Sequence, residues 1–356
     1  MHPDIAKVLA LAGDAARRFA PEKLNWSWGQ ALYLYALSRI DEEFGGQKYT
    51  DYLRRYYDAH IAKGYRVKTS DTSAPALGAF YLALKTGDEK YWEVVRRVRR
   101  YFDEVPKVVE DMPNHLGTGI ESWIYPQSVW VDSIMMYGVF TNWYAAAMGD
   151  AELAAFAAKQ PAKFAKYLQD EEEGLFYHCY WSNFKTHYPR RKIFWGRGNG
   201  WVMAAIPLFL DFMPEGGDKE RTRAIFRRLA AALLPWQRQD GWFETVFNRP
   251  GKTYEESSAT MLIASGWFYG VRTGLLGPEY RAAAEKAFHA VCASLELRGG
   301  LLSMPKISGP TSAIQGIPYF TYKVTPRAND WHYGLAAAFF AALEYHRLLE
   351  GDAICK

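Results

Sequence analysis

Segments that are apolar on every side alternate along this chain with segments that are apolar on one side only. Ala31-Leu32-Tyr33-Leu34-Tyr35-Ala36-Leu37 offers no polar face, whereas the stretch that follows it is charged at most turns. A helix buried all round and a helix wetted on one side require these two patterns, and their alternation predicts about twelve helices. The apolar set covers about 28–44, 73–86, 129–148, 198–213, 255–273 and 331–349. The amphipathic set covers about 3–19, 47–63, 88–103, 150–168, 218–236 and 278–297. Between an apolar helix and its successor the turns are short: Gly45-Gly46, Thr86-Gly87-Asp88, Met148-Gly149-Asp150 and Gly217-Asp218. Glycine can close one helix there and aspartate can cap the next. The other connections are long, at 104–127, 170–197 and 299–328, with hairpin-like runs at 175–181 and 241–246. Six helical hairpins of this kind predict an all-α fold. It is an (α/α)6 barrel filling one domain, 1–356, with short β-hairpins in the loops of one end.

Short turns keep each helix pair antiparallel, so the inner helices all start at the same end of the barrel. The conspicuous polar and aromatic residues fall at those starts: Trp26 and Trp28, Asp71, Asp132, Arg197, Glu255 and Glu256, Asp330 and His332. The most concentrated stretch is Phe194-Trp195-Gly196-Arg197-Gly198-Asn199-Gly200-Trp201. Three glycines in five residues allow a sharp turn and a close approach at the mouth of a core helix. Free N–H groups and the positive helix end favour an anion there. A negatively charged, ring-shaped ligand fits this convergence.

Composition narrows the field. Aromatic residues make up 16% of the 356, an excess that suits a site where rings stack on sugars. A net charge of +4, with no zinc-finger or aromatic-basic signature, argues against nucleic acid as partner. The basic loop Lys185, His187, Arg190, Arg191 and Lys192 could draw in anionic oligosaccharides. Cys179, Cys292 and Cys355 are odd in number and lack metal-ligand spacing, which predicts free thiols, no metal and a reducing, cytoplasmic setting. No stretch reads as a secretory signal or a membrane span, so no membrane partner is expected. Neither a cofactor nor a particular oligomeric state is indicated.

With these residues in place, a family resemblance is visible. Phe194 to Trp201 resembles the signature of the unsaturated uronyl hydrolases of glycoside hydrolase family 105, relatives of family 88. Trp130-Val131-Asp132-Ser133-Ile134-Met135-Met136 resembles the segment bearing that family's catalytic aspartate, and Asp71-Thr72-Ser73-Ala74-Pro75 its second acid. Glu255 to Thr260 and Asn329 to Gly334 also sit where family segments do. Ser70-Asp71-Thr72 and Trp331-His332-Tyr333 depart from the family's spelling, which leaves the preferred substrate open. The resemblance implies removal of a Δ4,5-unsaturated uronic acid from the non-reducing end of lyase-generated oligosaccharides. Hydration of the C4=C5 bond would be followed by hemiketal opening, with one carboxyl as acid and then base. Asp132 takes that role and Asp71 supports it. Arg197 would grip the substrate carboxylate. Trp28, Trp130 and Trp201 would stack on the sugar, and His178, Gly198, Asn199 and His332 complete the candidate contacts. Each residue also has a structural reading: helix caps for the two aspartates, an ion pair with Glu255 or Glu256 for Arg197, and packing for the tryptophans. Two other functions fit the same pattern: a different (α/α)6 carbohydrate enzyme, either an inverting glycosidase or an epimerase, and a non-catalytic glycan-binding barrel.

Overall fold

The structure, a computed structural model, describes residues 1–313 and 319–354. Among them twelve helices of ten residues or more follow in order. They are α1 (Pro3–Arg18), α2 (Trp28–Glu43), α3 (Thr50–Lys63), α4 (Ala76–Thr86), α5 (Glu89–Glu104) and α6 (Val139–Met148), then α7 (Ala151–Leu168), α8 (Gly196–Leu210), α9 (Gly217–Leu233), α10 (Ser257–Arg272), α11 (Glu279–Ala293) and α12 (His332–Ile354). The even-numbered helices form the inner ring: each packs on the next, and α12 returns to α2. This is the (α/α)6 barrel the alternation predicts, and burial shows why. In α10 every residue from Ser257 to Gly270 is buried. In the outer α5 only the stripe Tyr91, Val94, Val95, Val98, Tyr101 and Phe102 is. The continuous core runs from Ile5 to Leu348.

The two ends of the barrel differ. At the end where inner helices finish, Gly87 and Gly149 take the left-handed conformation that stops α4 and α6. Asp88 and Asp150 then accept the N–H groups of Lys90 and Leu153 to start α5 and α7. Gly217-Asp218 behaves differently. Gly216 precedes α9, Gly217 begins it, and Asp218 lies in the first turn, where its charge suits the helix end without capping it.

All the long connections gather at the opposite end, and there five predicted elements change. The expected helix 129–148 is instead a strand, β1 (Ser128–Trp130), then a five-residue π-helix, Ile134–Gly138, and only then α6. Strand β1 pairs with β2 (Cys179–Trp181), and β2 with β3 (Thr186–Tyr188), so the expected hairpin 175–181 is the centre of a three-stranded sheet. Pairing partners one helical hairpin apart in sequence override the local helical pattern. The helix expected over 73–86 is broken at Pro75 into Ser70–Ser73 and α4, because proline has no N–H to continue the ladder. The run 241–246 makes only isolated bridges, Trp195 to Val246 and Glu244 to Glu255. Residues 296–298, expected in a helix, pair with 301–303. Cys179 and Cys292 are free and buried; Cys355 lies outside the described residues. Among the described residues no helix is long and apolar enough to cross a membrane, and no cluster could hold a metal ion.

Candidate active site

The loops ahead of the inner helices surround a cleft of about 490 Å³, with Trp28, Asp71, His115, Trp130, Asp132, Trp195 and Arg197 in its walls. Its position follows from the fold: the segments that lead into α2, α4, α6 and α8 all line one bowl.

Asp71 is not a helix cap. Thr69 caps the Ser70–Ser73 helix by accepting the N–H of Thr72, whose hydroxyl in turn serves the Thr69 N–H, so the Asp71 carboxyl is left to the cleft. Burial, then the nearby charges of Asp132 and Glu121, push its pKa up to about 7. Asp132 follows β1 directly. Burial raises it to about 6, against the opposing pull of Arg197 and of a backbone hydrogen bond. A helix start alone would lower both carboxyls; desolvation wins. Asp132 Oδ2 has no hydrogen-bond partner among the described residues and faces the equally unpartnered Nε2 of His178 at 3.7 Å.

Two neutral imidazoles back the two acids. His178 is held through Nδ1 by the Tyr322 hydroxyl at 2.8 Å, and burial drives its pKa well down. His115 lies flat on Trp130, ring centroids 4.5 Å apart, with Nε2 3.7 Å from Asp71 Oδ1. Its Nδ1 is 2.8 Å from the Ser133 hydroxyl, and burial lowers its pKa to about 3. Ser133 donates in turn to Ser70, 3.4 Å away, so the neighbours of the two aspartates are tied together beneath the cleft.

Arg197 lies in the first turn of α8 rather than ahead of it, 1% exposed, with its guanidinium 4.7 Å from the Trp195 ring and 4.8 Å from that of Tyr333. Trp28 stacks on Tyr333 at 4.5 Å, so rings and cation are packed together on this wall. The terminal nitrogens of Arg197 donate to the carbonyls of Ser308 (2.9 Å) and Gly309 (3.0 Å) and to the Thr311 hydroxyl (3.3 Å), while Nε has no partner among the described residues. The alternative ion pair is not formed. Glu256 caps α10 through Ser258 and Ala259 and takes the Ser308 N–H, and Glu255 pairs with Lys306 and Arg327.

Other expected contacts sit elsewhere. Trp201 is fully buried, edge-on to Trp28 at 6.2 Å, outside the cleft wall. Asn199 bridges Phe176 N–H (2.7 Å), Phe176 C=O (3.0 Å) and Trp195 C=O (2.9 Å), which leaves it a structural brace. A side chain on Gly198 would press on Trp195 and Val131, and one on Gly196 would meet the Glu244 carbonyl at 2.6 Å. The motif's glycines therefore serve close packing. His332 packs on Phe19 and Tyr33, away from the cleft, and Asp330 holds Arg18, Ser303 and Met304. In the basic run Lys192 pairs with Glu172 and Asp170, and His187 stacks on Tyr177. The cations of the cleft mouth are Arg66 and Lys68 instead. Trp195 and Tyr333 lay inside the quoted motifs without being singled out as contacts, whereas His115, Arg66 and Lys68 carried no periodic or motif signal of their own. Only the folding of the 104–127 connection onto β1, through His115 N–H to Ser128 C=O, brings His115 in.

Two carboxyls kept partly protonated beside aromatic rings, in the bowl of an (α/α)6 barrel, suit acid catalysis on a sugar, and the protein is a glycoside hydrolase. Residues 9–349 match Glycosyl Hydrolase Family 88, and the chain belongs to that family. It is 24% identical to the unsaturated rhamnogalacturonyl hydrolase YesR of Bacillus subtilis over 347 residues, 95% of each chain. It is 30% identical over 171 residues to an unsaturated 3S-rhamnoglycuronyl hydrolase of Alteromonas, covering 46% of this chain and 40% of that one. The crystal structure of a possible member of the GH105 family from Klebsiella pneumoniae superposes with a TM-score of 0.86 at 23% identity, over 97% of this chain and 93% of the other. The resemblance to uronyl hydrolases of families 105 and 88 is borne out.

Proposed function

We propose that the protein removes a Δ4,5-unsaturated uronic acid from the non-reducing end of lyase-generated oligosaccharides by hydrating the C4=C5 bond. The observation that carries this is the Asp132 carboxyl, raised to about 6 and lining the cleft, with Oδ2 free of hydrogen-bond partners among the described residues. A general acid working near neutrality needs a pKa in this region. Asp132 protonates C4, and charge develops at C5 and the ring oxygen. The same carboxyl, now ionised, takes a proton from water as the water adds to C5. The hemiketal formed then opens and expels the remaining sugar. Asp71 helps hold a proton on the pair near neutral pH, and Arg197 places a positive charge, with Nε as donor, beside the substrate carboxylate. Trp28 and Trp130 offer the ring surfaces of the cleft. The buried thiols Cys179 and Cys292 suit a reducing compartment, which supports a cytoplasmic setting.

The test is a screen of unsaturated disaccharides from pectin, ulvan and glycosaminoglycans, following loss of the conjugated ultraviolet chromophore. The wild type should consume the chromophore and release a keto sugar. Asp132→Asn should lose roughly 10²–10⁴-fold in rate while staying folded. Release of saturated sugars, or wild-type turnover by Asp132→Asn, sinks this mechanism.

A further inference from the structure

A substrate with one carboxylate needs one cation, and the cleft has three, set against the acids Asp71, Glu121 and Asp132. Arg197, deep beside Trp195, already stands for that carboxylate. At the mouth, Arg66 and Lys68 line the same cleft, are exposed, and have no carboxylate within ion-pair reach among the described residues. Several cations elsewhere are paired: Arg96, Arg99 and Arg223 on the outer helices, and Lys192 in the loop ahead of α8, each lie against acids. Nor do the two mouth cations hang from a loose loop. The Lys68 carbonyl accepts the N–H of Thr118 at 2.8 Å, and the Lys68 N–H donates to the Thr72 hydroxyl at 2.9 Å. Gly117 has φ +49°, and a Cβ there would come within 2.0 Å of the Lys68 carbonyl, so the two segments touch backbone to backbone. Lys68 is therefore presented from a fixed strip of chain, with Arg66 two residues ahead of it, and a fixed cation is what selective recognition of an anion requires. Lining the same cleft are Glu121 and the exposed side chain of Ile120 (76%), on the short helix Ile120–Trp123. Glu121 repels a second anion unless that anion lies on the Arg66–Lys68 side. The mouth thus selects a position as well as a charge.

We propose that Arg66 and Lys68 form a subsite for an anionic substituent, a sulfate ester or a carboxylate, on the sugar next to the terminal unsaturated uronate. This rests on the reaction proposed above and names the class of substrate it acts on. Both anions offer oxygens that a guanidinium and an ammonium can share. The unsaturated residue occupies the floor between Asp132 and Arg197, and its neighbour then lies toward the opening where the two cations stand.

The experiment compares three disaccharides that share an unsaturated terminal uronate: one ending in rhamnose 3-sulfate, its desulfated counterpart, and unsaturated digalacturonate. Rates are measured with the wild type, Arg66→Gln, Lys68→Gln and the double variant, at low and high salt. The wild type should favour one or both anionic disaccharides over the desulfated one in kcat/KM. Each single variant should lose roughly tenfold on the favoured substrate, about the value of one charged hydrogen bond. The desulfated rate should stay within about twofold, and added salt should erode the preference. Which anionic substrate responds tells sulfate from carboxylate. Equal rates on all three by the wild type, or equal losses on all three by the variants, overturn the subsite while leaving the proposed reaction standing; the second result would assign the cations to the uronate itself. Failure of the wild type on all three, with no binding of the sulfated disaccharide to Asp132→Asn by calorimetry, overturns both. Binding there that weakens in the double variant supports the subsite even as the reaction falls.

Discussion

Asp132 and Asp71 show how little a residue's local address determines. Each stands at a helix start, where partial positive charge should hold a carboxyl ionised. Burial reverses this and leaves them at about 6 and about 7. That reversal has a stability consequence. A carboxyl whose folded pKa exceeds its unfolded value binds more protons in the native state, so its effect on stability worsens as pH rises from the unfolded value through the folded one. For Asp132 the window runs from 3.8 to about 6, corresponding at full ionisation to about 3 kcal/mol. Asp132→Asn, which cannot ionise, should therefore gain stability relative to the wild type between pH 4 and pH 7. Denaturant melts at both pH values measure this, and a constant difference would show that the carboxyl is not strained by burial. The acid positions were legible because aspartates ahead of apolar runs are conspicuous. Of their backing imidazoles, His178 was named through the family resemblance, but His115 was not, since it reaches Asp71 only through the way a long connection folds.

At the scale of elements, α8 shows what a motif can conceal. The stretch from Gly196 to Trp201 reads as a ligand loop, yet of its residues only Arg197 enters the cleft wall. Gly196 lets the first turn lie against the Glu244 carbonyl, and Asn199 straps that turn to Phe176. Asn199→Ala should leave the buried Phe176 N–H and C=O without these partners and cost about 1–3 kcal/mol in urea unfolding. A loss below 0.5 kcal/mol would count against the strap. Gly196→Ala should lower both stability, by about 1–3 kcal/mol, and turnover, because the displaced turn carries Arg197. Normal kinetics in that variant would separate the turn from the site. The strand β1 gives the complementary lesson. Ser128-Val129-Trp130 sits in front of an apolar helix and looks like its beginning, but pairing with β2 draws it away, and that is what sets Asp132 on a bend beside the cleft.

Across the whole molecule, stability and site depend on closing the ring. Helix α12 packs on both α10 and α2, so removing it exposes the apolar faces of each. A chain ending at residue 331 should show no cooperative thermal transition by circular dichroism; a sharp, native-like melt would mean that five inner helices suffice. The alternation of wholly and partly apolar segments, together with Gly-Asp turns, was enough on its own to determine the barrel and the end at which the inner helices begin, because burial pattern and turn chemistry act over a few residues. Which residues meet in the bowl was decided only by tertiary structure. Strand pairing, desolvation and the docking of long loops join positions far apart in sequence. They turned Trp201, Asn199 and His332 into packing and brought His115, Arg66 and Lys68 to the cleft.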